Sequence, residues 1–238
     1  MKLFYLYLEG VRIGKDDEAK NLPMGVSNNG TMYVPVEGVL SLKDDECFGS
    51  QTDYGRIQDA CDIANNHPGV SRVVFMHNSP GGSVTGMEET YRSIESIKKP
   101  TYAYTSSLMA SASYALACAC DAIYASPSAV IGSIGARMMH FDISGMMSNM
   151  GINVTEFTKG ENKMQGSPFR ALSDSDKKFF QNRVDKSADQ FFNLVKDRRK
   201  SVNESVFSSS VFNGRDGIKN GLVDGLLDSD TELMKFIR

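Results

Sequence analysis

The chain has 238 residues, enough for one sizeable domain, or one domain plus an arm. Hydrophobic residues make up 41% and charged residues 23%, with 26 Lys and Arg against 29 Asp and Glu, for a net charge of −3. This is a globular composition without the basic footprint of a nucleic-acid binder. No run reaches the ~18 apolar residues of a membrane span, and the N-terminal MKLFYLYLEG turns polar too early for a secretory leader. Four Cys do not make a disulfide framework and point to a reducing, cytoplasmic setting, while three His leave little for a multi-His metal centre.

In chain order, Gly25–Gly30 is a turn signal, and the polar stretch Lys15–Lys20 before it reads as a surface loop or short helix. Residues 31–40 are rich in β-branched and aromatic residues and predict a strand, with Pro35 favouring an edge or strand-start position. Residues 41–53 read as a loop. Ile57, Cys61 and Ala64 predict a helix over 54–66, closed by Asn65-Asn-His-Pro-Gly69. Val70–Met76 is a buried-strand pattern that leads into a turn at Asn78-Ser-Pro-Gly-Gly82. Val84, Met87, Tyr91, Ile94 and Ile97 line one face of a predicted helix over 84–97. Residues 101–105 and 122–125 read as strands, and the small apolar residues of 109–120 fit a tightly packed helix. The alternation of strand and helix predicts an α/β architecture with mostly parallel strands. A long helix follows over about 173–200, with Phe180, Val184, Ala188, Phe191 and Val195 on its apolar face. Its basic end, Lys196–Lys200, suits a solvated helix C-terminus.

Three segments could hold chemistry. At Ser79-Pro-Gly-Gly82, glycines let backbone N–H groups approach a ligand with no Cβ in the way, which suits an oxyanion, although ordinary tight turns look the same. In Met109-Ala-Ser-Ala-Ser-Tyr114, a Ser at a strand-to-helix junction sits near free helix N–H groups, yet it could simply be an N-cap. The third segment runs from Lys159 to Pro168. A Lys there is a general base only if burial lowers its ammonium pKa, and most Lys residues in polar, Gly-rich loops are solvated.

Taken together and in order, these segments resemble the signal peptide peptidase A family of serine peptidases, most of all its phage head-maturation (capsid) branch. The resemblance runs from about Tyr33 to Asp224. It is carried by Ser79-Pro-Gly-Gly82, Met109–Tyr114, Cys120-Asp-Ala-Ile-Tyr-Ala125, Ile131-Gly-Ser-Ile-Gly135, Lys163 with Ser167-Pro168, and Gly221-Leu-Val-Asp224. The family's Ser-Gly-Gly-Tyr implies Ser111 as nucleophile, three residues ahead of Tyr114. The two intervening residues are Ala112 and Ser113 instead of glycines, so Ser113 is a second hydroxyl beside the first. The resemblance implies Lys163 as general base, with oxyanion donors from Gly81 or Gly82 and from Ala112. Ser133 is a candidate for orienting the Lys.

The resemblance implies a Clp/crotonase-like α/β fold of repeated ββα units with a C-terminal helical extension. The expected organisation is an N-terminal arm at 1–30, a Ser–Lys peptidase domain at 31–228 and a C-terminal tail at 229–238. Some phage capsid proteases carry a fused scaffold segment; so few residues follow Asp224 that the expectation is a peptidase domain alone. The implied function is a serine endopeptidase that processes capsid or scaffold proteins in phage head maturation. It would work in the bacterial host cytoplasm or prohead, as a homo-oligomeric ring, without cofactor, metal, nucleic acid or membrane anchor. Alternatives are a signal-peptide-peptidase-like cytoplasmic peptidase, a non-catalytic assembly protein and an acyl-CoA enzyme on the same fold. The related Clp protease has a Ser-His-Asp triad, but Gly132-Ser133 stands where its His would be, so His140 beside Asp142 reads as structural, as do His67 and His77. Cys118-x-Cys120 reads as core packing rather than zinc binding. Met138, Met139, Met146, Met147 and Met150 read as core, with a substrate groove or inter-subunit face as the alternative.

Overall fold

A computed structural model describes residues 25–27, 29–42, 51–160 and 162–237. Most of the arm expected at 1–30, the Lys15–Lys20 stretch and most of the loop at 41–53 lie outside the described residues. The elements run β1 (Gly25–Val26), β2 (Thr31–Ser41), β3 (Gln51–Asp53), α1 (Tyr54–Asn66), β4 (Arg72–Gly82), α2 (Met87–Glu95), β5 (Thr101–Thr105), β6 (Leu108–Ala110), α3 (Ala112–Cys118), β7 (Ala122–Ala125) and β8 (Val130–Gly132). Then follow α4 (Ser144–Asn149), α5 (Asp174–Arg198), a 3-10 turn (Glu204–Ser208), β9 (Val211–Asn213), α6 (Gly214–Lys219), β10 (Gly225–Leu226) and α7 (Asp230–Phe236). The chain forms two compact units, one of residues up to Gly135 and from Phe191 onward, the other of residues 136–190.

The first unit is organised around β4. Its first half pairs in parallel with β2 on one side and β5 on the other, and β5 continues to β7 and β10. Its second half keeps β2 but exchanges β5 for β6, at Ser79 opposite Met109, and β6 leads to β8 and β9. The sheet therefore forks at Asn78, whose Oδ1 accepts a 2.8 Å hydrogen bond from Ser107 Oγ between β5 and β6. That fork delivers the end of β6, and so Ser111, alongside the end of β4.

Side-chain alternation along β4 divides the core between the two faces of the sheet. Val73 and Phe75 join residues of α1, α2 and α3 in the larger cluster. Val74 and Met76 face a smaller one with Tyr33, Tyr104, Leu227, Leu233 and Ile237. The last two belong to the segment read as a tail, of which Asp230–Phe236 is helical. Pro35 lies on β2 opposite Met76 of β4, and on the other side of β2 it falls between the stretches paired with β1 and β3.

Helix α1 spans the residues its periodicity predicts, capped by Asp53, whose side chain accepts from the Gly55 N–H. Other expectations need correction. The strand does not end before Ser79-Pro-Gly-Gly82 but runs through it, because β2 and β6 continue to flank β4 there. The next helix starts at Met87, not residue 84. Gly86 turns the chain at a φ of 91°, the Tyr54 hydroxyl donates to the Ser83 carbonyl at 2.7 Å, and Val84 is exposed. On α5 only Phe191 and Val195 of the expected apolar face are buried, and both lie in its last turns, within the first unit. The basic end of α5 is largely exposed, as expected of a solvated helix end, but its two arginines are engaged. Arg198 donates to the carbonyls of Cys118, Ala119 and Cys120 at the end of α3, and Arg199 pairs with Asp224 at 2.8 Å.

Candidate active site

The junction of β6 and α3 holds Ser111 in a backbone conformation that a residue with a Cβ seldom adopts, φ 53° and ψ −129°. Its surroundings impose the conformation. The Ser111 N–H donates to the Gly132 carbonyl on β8 at 2.8 Å, and its carbonyl accepts from the Ala115 N–H at 3.0 Å. Ser111 is half-buried, and its side chain does not cap the helix it precedes.

Gly81 and Gly82 press against this junction and against β2. A Cβ on Gly81, where φ is 94°, would lie 2.6 Å from Ser111 Cβ and 2.8 Å from the Ala112 nitrogen. A Cβ on Gly82 would lie 1.9 Å from the Leu40 carbonyl oxygen. Both positions require glycine because backbones approach this closely. The Gly81 N–H donates to Ser79 Oγ at 3.1 Å, while Ser79 Oγ donates to the Gly38 carbonyl at 2.6 Å. Ser133, just past β8, has a φ of 54° and donates its N–H to the Ser210 carbonyl at 2.8 Å.

Ser113 differs from Ser111 in burial and in its side-chain partner. It is fully buried, and its Oγ lies 2.8 Å from His77 Nδ1 on β4. His77 is 3% exposed, and burial pushes its imidazole down to about 3, so the ring is neutral. The next residue, Tyr114, buries its ring and donates its hydroxyl to the Leu222 carbonyl at 2.8 Å. This bond joins α3 to Gly221-Leu-Val-Asp224, whose Asp224 accepts from the Ile123 N–H and from Arg199.

Lys163 belongs to the second unit and is exposed. Its N–H donates to the Gly160 carbonyl at 3.2 Å, and Arg170 pins the loop by donating to the Met164 carbonyl at 2.9 Å. Ser167 is buried and donates to Glu156 at 2.9 Å. Arg170 also pairs at 2.7 Å with Asp176, which accepts from Ser173; these partners, the guanidinium first, pull the Asp176 carboxyl down to about 2. Met138, Met139, Met146 and Met150, expected in the core, are exposed, as are Phe141 and Phe157 in the same unit. The short helix α4 has no buried residue to anchor them. Asp142 accepts from the N–H and the hydroxyl of Ser144. His67 Nδ1 accepts from the Gly69 N–H within its turn. Cys61, Cys118 and Cys120 are buried free thiols, and burial pushes Cys61 and Cys118 up to about 12. Among the described residues no His, Cys, Asp and Glu cluster suited to a metal forms.

The profile of peptidase family S49 matches residues 93–236, which include Ser111, Lys163 and the Gly221–Asp224 segment. The chain belongs to peptidase family S49. A protein of Methanocaldococcus jannaschii, named provisionally as a protease, is 34% identical over 70% of this chain and 55% of its own length. Capsid assembly protease C of Escherichia phage lambda is 26% identical over 91% of this chain and 51% of its own. The chain thus spans about half the length of these curated relatives. Among solved structures, the 1510-N membrane-bound stomatin-specific protease, in a lysine-to-alanine variant with a substrate peptide, superimposes with a TM-score of 0.54 at 16% identity. The match covers 87% of this chain and 79% of that one, and it gives the chain the Clp/crotonase-type fold of S49 peptidases.

Within that S49 fold, His77, expected from the sequence to be structural, is buried against Ser113. Strand phase carried the signal. His77 follows Val73 and Phe75 at alternate positions on β4, so it points to the same face, toward α3.

Proposed function

We propose that this S49 chain is a serine endopeptidase working through Ser111 and Lys163. The observation that carries the reading is the strained Ser111 junction, with Gly81 against it, in a chain of a peptidase family. Lys163, as the neutral amine, accepts the Ser111 hydroxyl proton while Oγ bonds to the scissile carbonyl carbon. The C–N bond then breaks and the proton passes to the leaving amine; water hydrolyses the acyl-enzyme by the reverse sequence. Ser79 already engages the Gly81 amide, so the oxyanion falls to the amides of Gly82 and Ala112, each worth roughly 2.7–4 kcal/mol of barrier in comparable sites. Ser133 serves to orient the Lys.

A Lys base must be neutral, and neutrality requires removal from water. Lys163 is exposed in the single chain, and its unit presents a set of exposed Met and Phe residues. Both facts favour a homo-oligomer in which a second copy covers this unit, and a ring with active sites shared between neighbours follows from the same reasoning. The substrates are capsid or scaffold proteins of a maturing phage head, a reading supported by the similarity to capsid assembly protease C over most of this chain. Among the described residues no helix is long and apolar enough to cross a membrane, which accords with action in the host cytoplasm or prohead.

Casein cleavage that disappears in Ser111→Ala and in Lys163→Ala, with a fluorophosphonate adduct mapped to Ser111, supports the dyad; an adduct on Ser113 overturns it. Mixing the two inactive variants tests the shared site. Mixed oligomers that regain no cleavage rule it out.

A further inference from the structure

The buried contact between His77 and Ser113 joins the two elements that the reaction must hold in register. Ser113 lies in the first turn of α3, immediately after the junction that carries Ser111. His77 lies on β4, ahead of Gly81 and Gly82 on the same strand. Their 2.8 Å hydrogen bond is the side-chain link between the strand bearing the oxyanion glycine and the helix bearing the nucleophile. From the β8 side, the junction is held by the backbone bond from the Ser111 N–H to the Gly132 carbonyl.

Core packing alone does not account for the pair. Both residues are buried, and His77 Nε2 has no hydrogen-bond partner among the described residues. A buried polar atom left unpaired costs free energy that an apolar side chain would not. Burial keeps the ring neutral, so it cannot act through charge. What a neutral, buried, singly bonded imidazole supplies is direction. It fixes the rotation of the first turn of α3 relative to β4, and with it the placement of Ser111 beside the Gly81 turn that it contacts.

We propose that His77 and Ser113 form a positioning pair that locks the nucleophile junction to the oxyanion strand. The proposal rests on Ser111 being the nucleophile. The pair touches neither substrate nor reacting atoms, so its effect belongs in the chemical step and not in binding.

The test is fluorophosphonate labelling, with kinact and KI measured separately and the adduct mapped, in Ser113→Ala, His77→Leu, the double variant and His77→Asn. Ser113→Ala and His77→Leu should each lower kinact about tenfold with KI within about twofold, since a small misplacement of a nucleophile acts on rate. The double variant should lose the same factor of about ten, because both changes break one link. His77→Asn, whose amide lies where the ring Nδ1 does, should recover most of the rate.

Unchanged kinact in Ser113→Ala, losses that multiply in the double variant, or His77→Asn no better than His77→Leu would each overturn the proposal. If His77→Leu does not fold, as a thermal melt would reveal, Ser113→Ala decides alone, because it removes a single oxygen. Parent protein that takes the label on Ser113, or takes none, overturns the nucleophile assignment and this proposal together. Label on Ser111 with unaltered variant rates overturns this proposal only.

Discussion

The neighbourhood of Ser111 and the segment 136–190 come from one chain yet obey opposite rules. Around Ser111 almost every atom is fixed by something else. Strained backbone is clamped by β8, glycines sit where a Cβ would collide, and α3 is buried along its whole length. In 136–190 the apolar residues face water, α4 buries nothing, and Gly145, Gly151 and Gly160 have open space around them. Strain persists only where packing over-determines it, so the first region can hold a reactive geometry within one chain. The second carries an unusual amount of exposed apolar side chain, which is where the proposed second copy would pack.

The largest effect that separates the two regions is Gly82→Ala. Its methyl group would have to displace the Leu40 backbone, at 1.9 Å from the carbonyl oxygen and 2.5 Å from the nitrogen, in a strand pair that runs the length of β2 and β4. The expected result is loss of the folded state, a penalty above ~4 kcal/mol, read by circular dichroism and by urea denaturation. A stable, folded Gly82→Ala protein would mean that the fork at β4 is looser than described.

Ser111→Gly comes next and pulls two properties apart. Glycine tolerates φ 53° without a Cβ penalty, so the thermal midpoint should rise, reflecting about 1 kcal/mol of relieved strain. Casein cleavage should fall by about 10³-fold or more, as for loss of a nucleophile elsewhere. A midpoint that drops would show that the Ser111 conformation is not strained.

Much of this contrast was legible in the sequence, and the failures are instructive. Helix α1, the short strands β5 and β7 and the order of the motifs followed from periodicity and punctuation. Ser79-Pro-Gly-Gly82 reads as a turn because Pro and Gly usually make one; that β4 extends through it depends on β6 arriving from a remote part of the chain. The Met residues read as core because apolar residues are usually buried, a rule silent about whether the cover is the same chain or another. Arg198 and Arg199 read as a solvated helix end, since a sequence does not disclose that the carbonyls closing α3 lie in reach. His77 reads as structural, which its burial bears out, but its contact with Ser113 is not legible because 36 residues separate the two.

Acid should distinguish the regions by where each begins to weaken. His77 binds its proton at about 3 in the folded state against 6.5 when free, so below 6.5 the unfolded chain holds the extra proton. The first unit therefore loses stability as pH falls from 6.5 towards about 3, by up to about 1.4 kcal/mol per pH unit. In the second unit, Asp176 is depressed from 3.8 to about 2 by Arg170 and Ser173, so its contribution is intact above 3.8 and is lost as pH falls through about 2. Hydrogen exchange at pH 5 should reveal weakened protection in β4 and α3 but not around the α5 N-terminus, and His77→Leu should flatten the first response. Equal weakening of both units at pH 5 would remove His77 as the cause.

The smallest effect tests the open side of the contrast with the same chemical change that wrecks the closed side. Gly145 lies inside α4, and a Cβ there would meet no atom within 4 Å. Alanine costs less backbone entropy than glycine in a helix, so Gly145→Ala should stabilise by roughly 0.5–1 kcal/mol, partly by restricting the unfolded chain. The gain should show in the dissociated chain, measured at low protein concentration. If a second copy packs over α4, the added methyl should also register in sedimentation as a shift in the assembly equilibrium, in either direction. A gain in stability with assembly unaltered would mean that the covering copy leaves α4 bare and that the exposed Met and Phe side chains on either side of it form the contact. Destabilisation at every concentration would mean that α4 is not a helix in water, and the comparison between the two regions would then be one between a folded unit and a segment that folds only when covered.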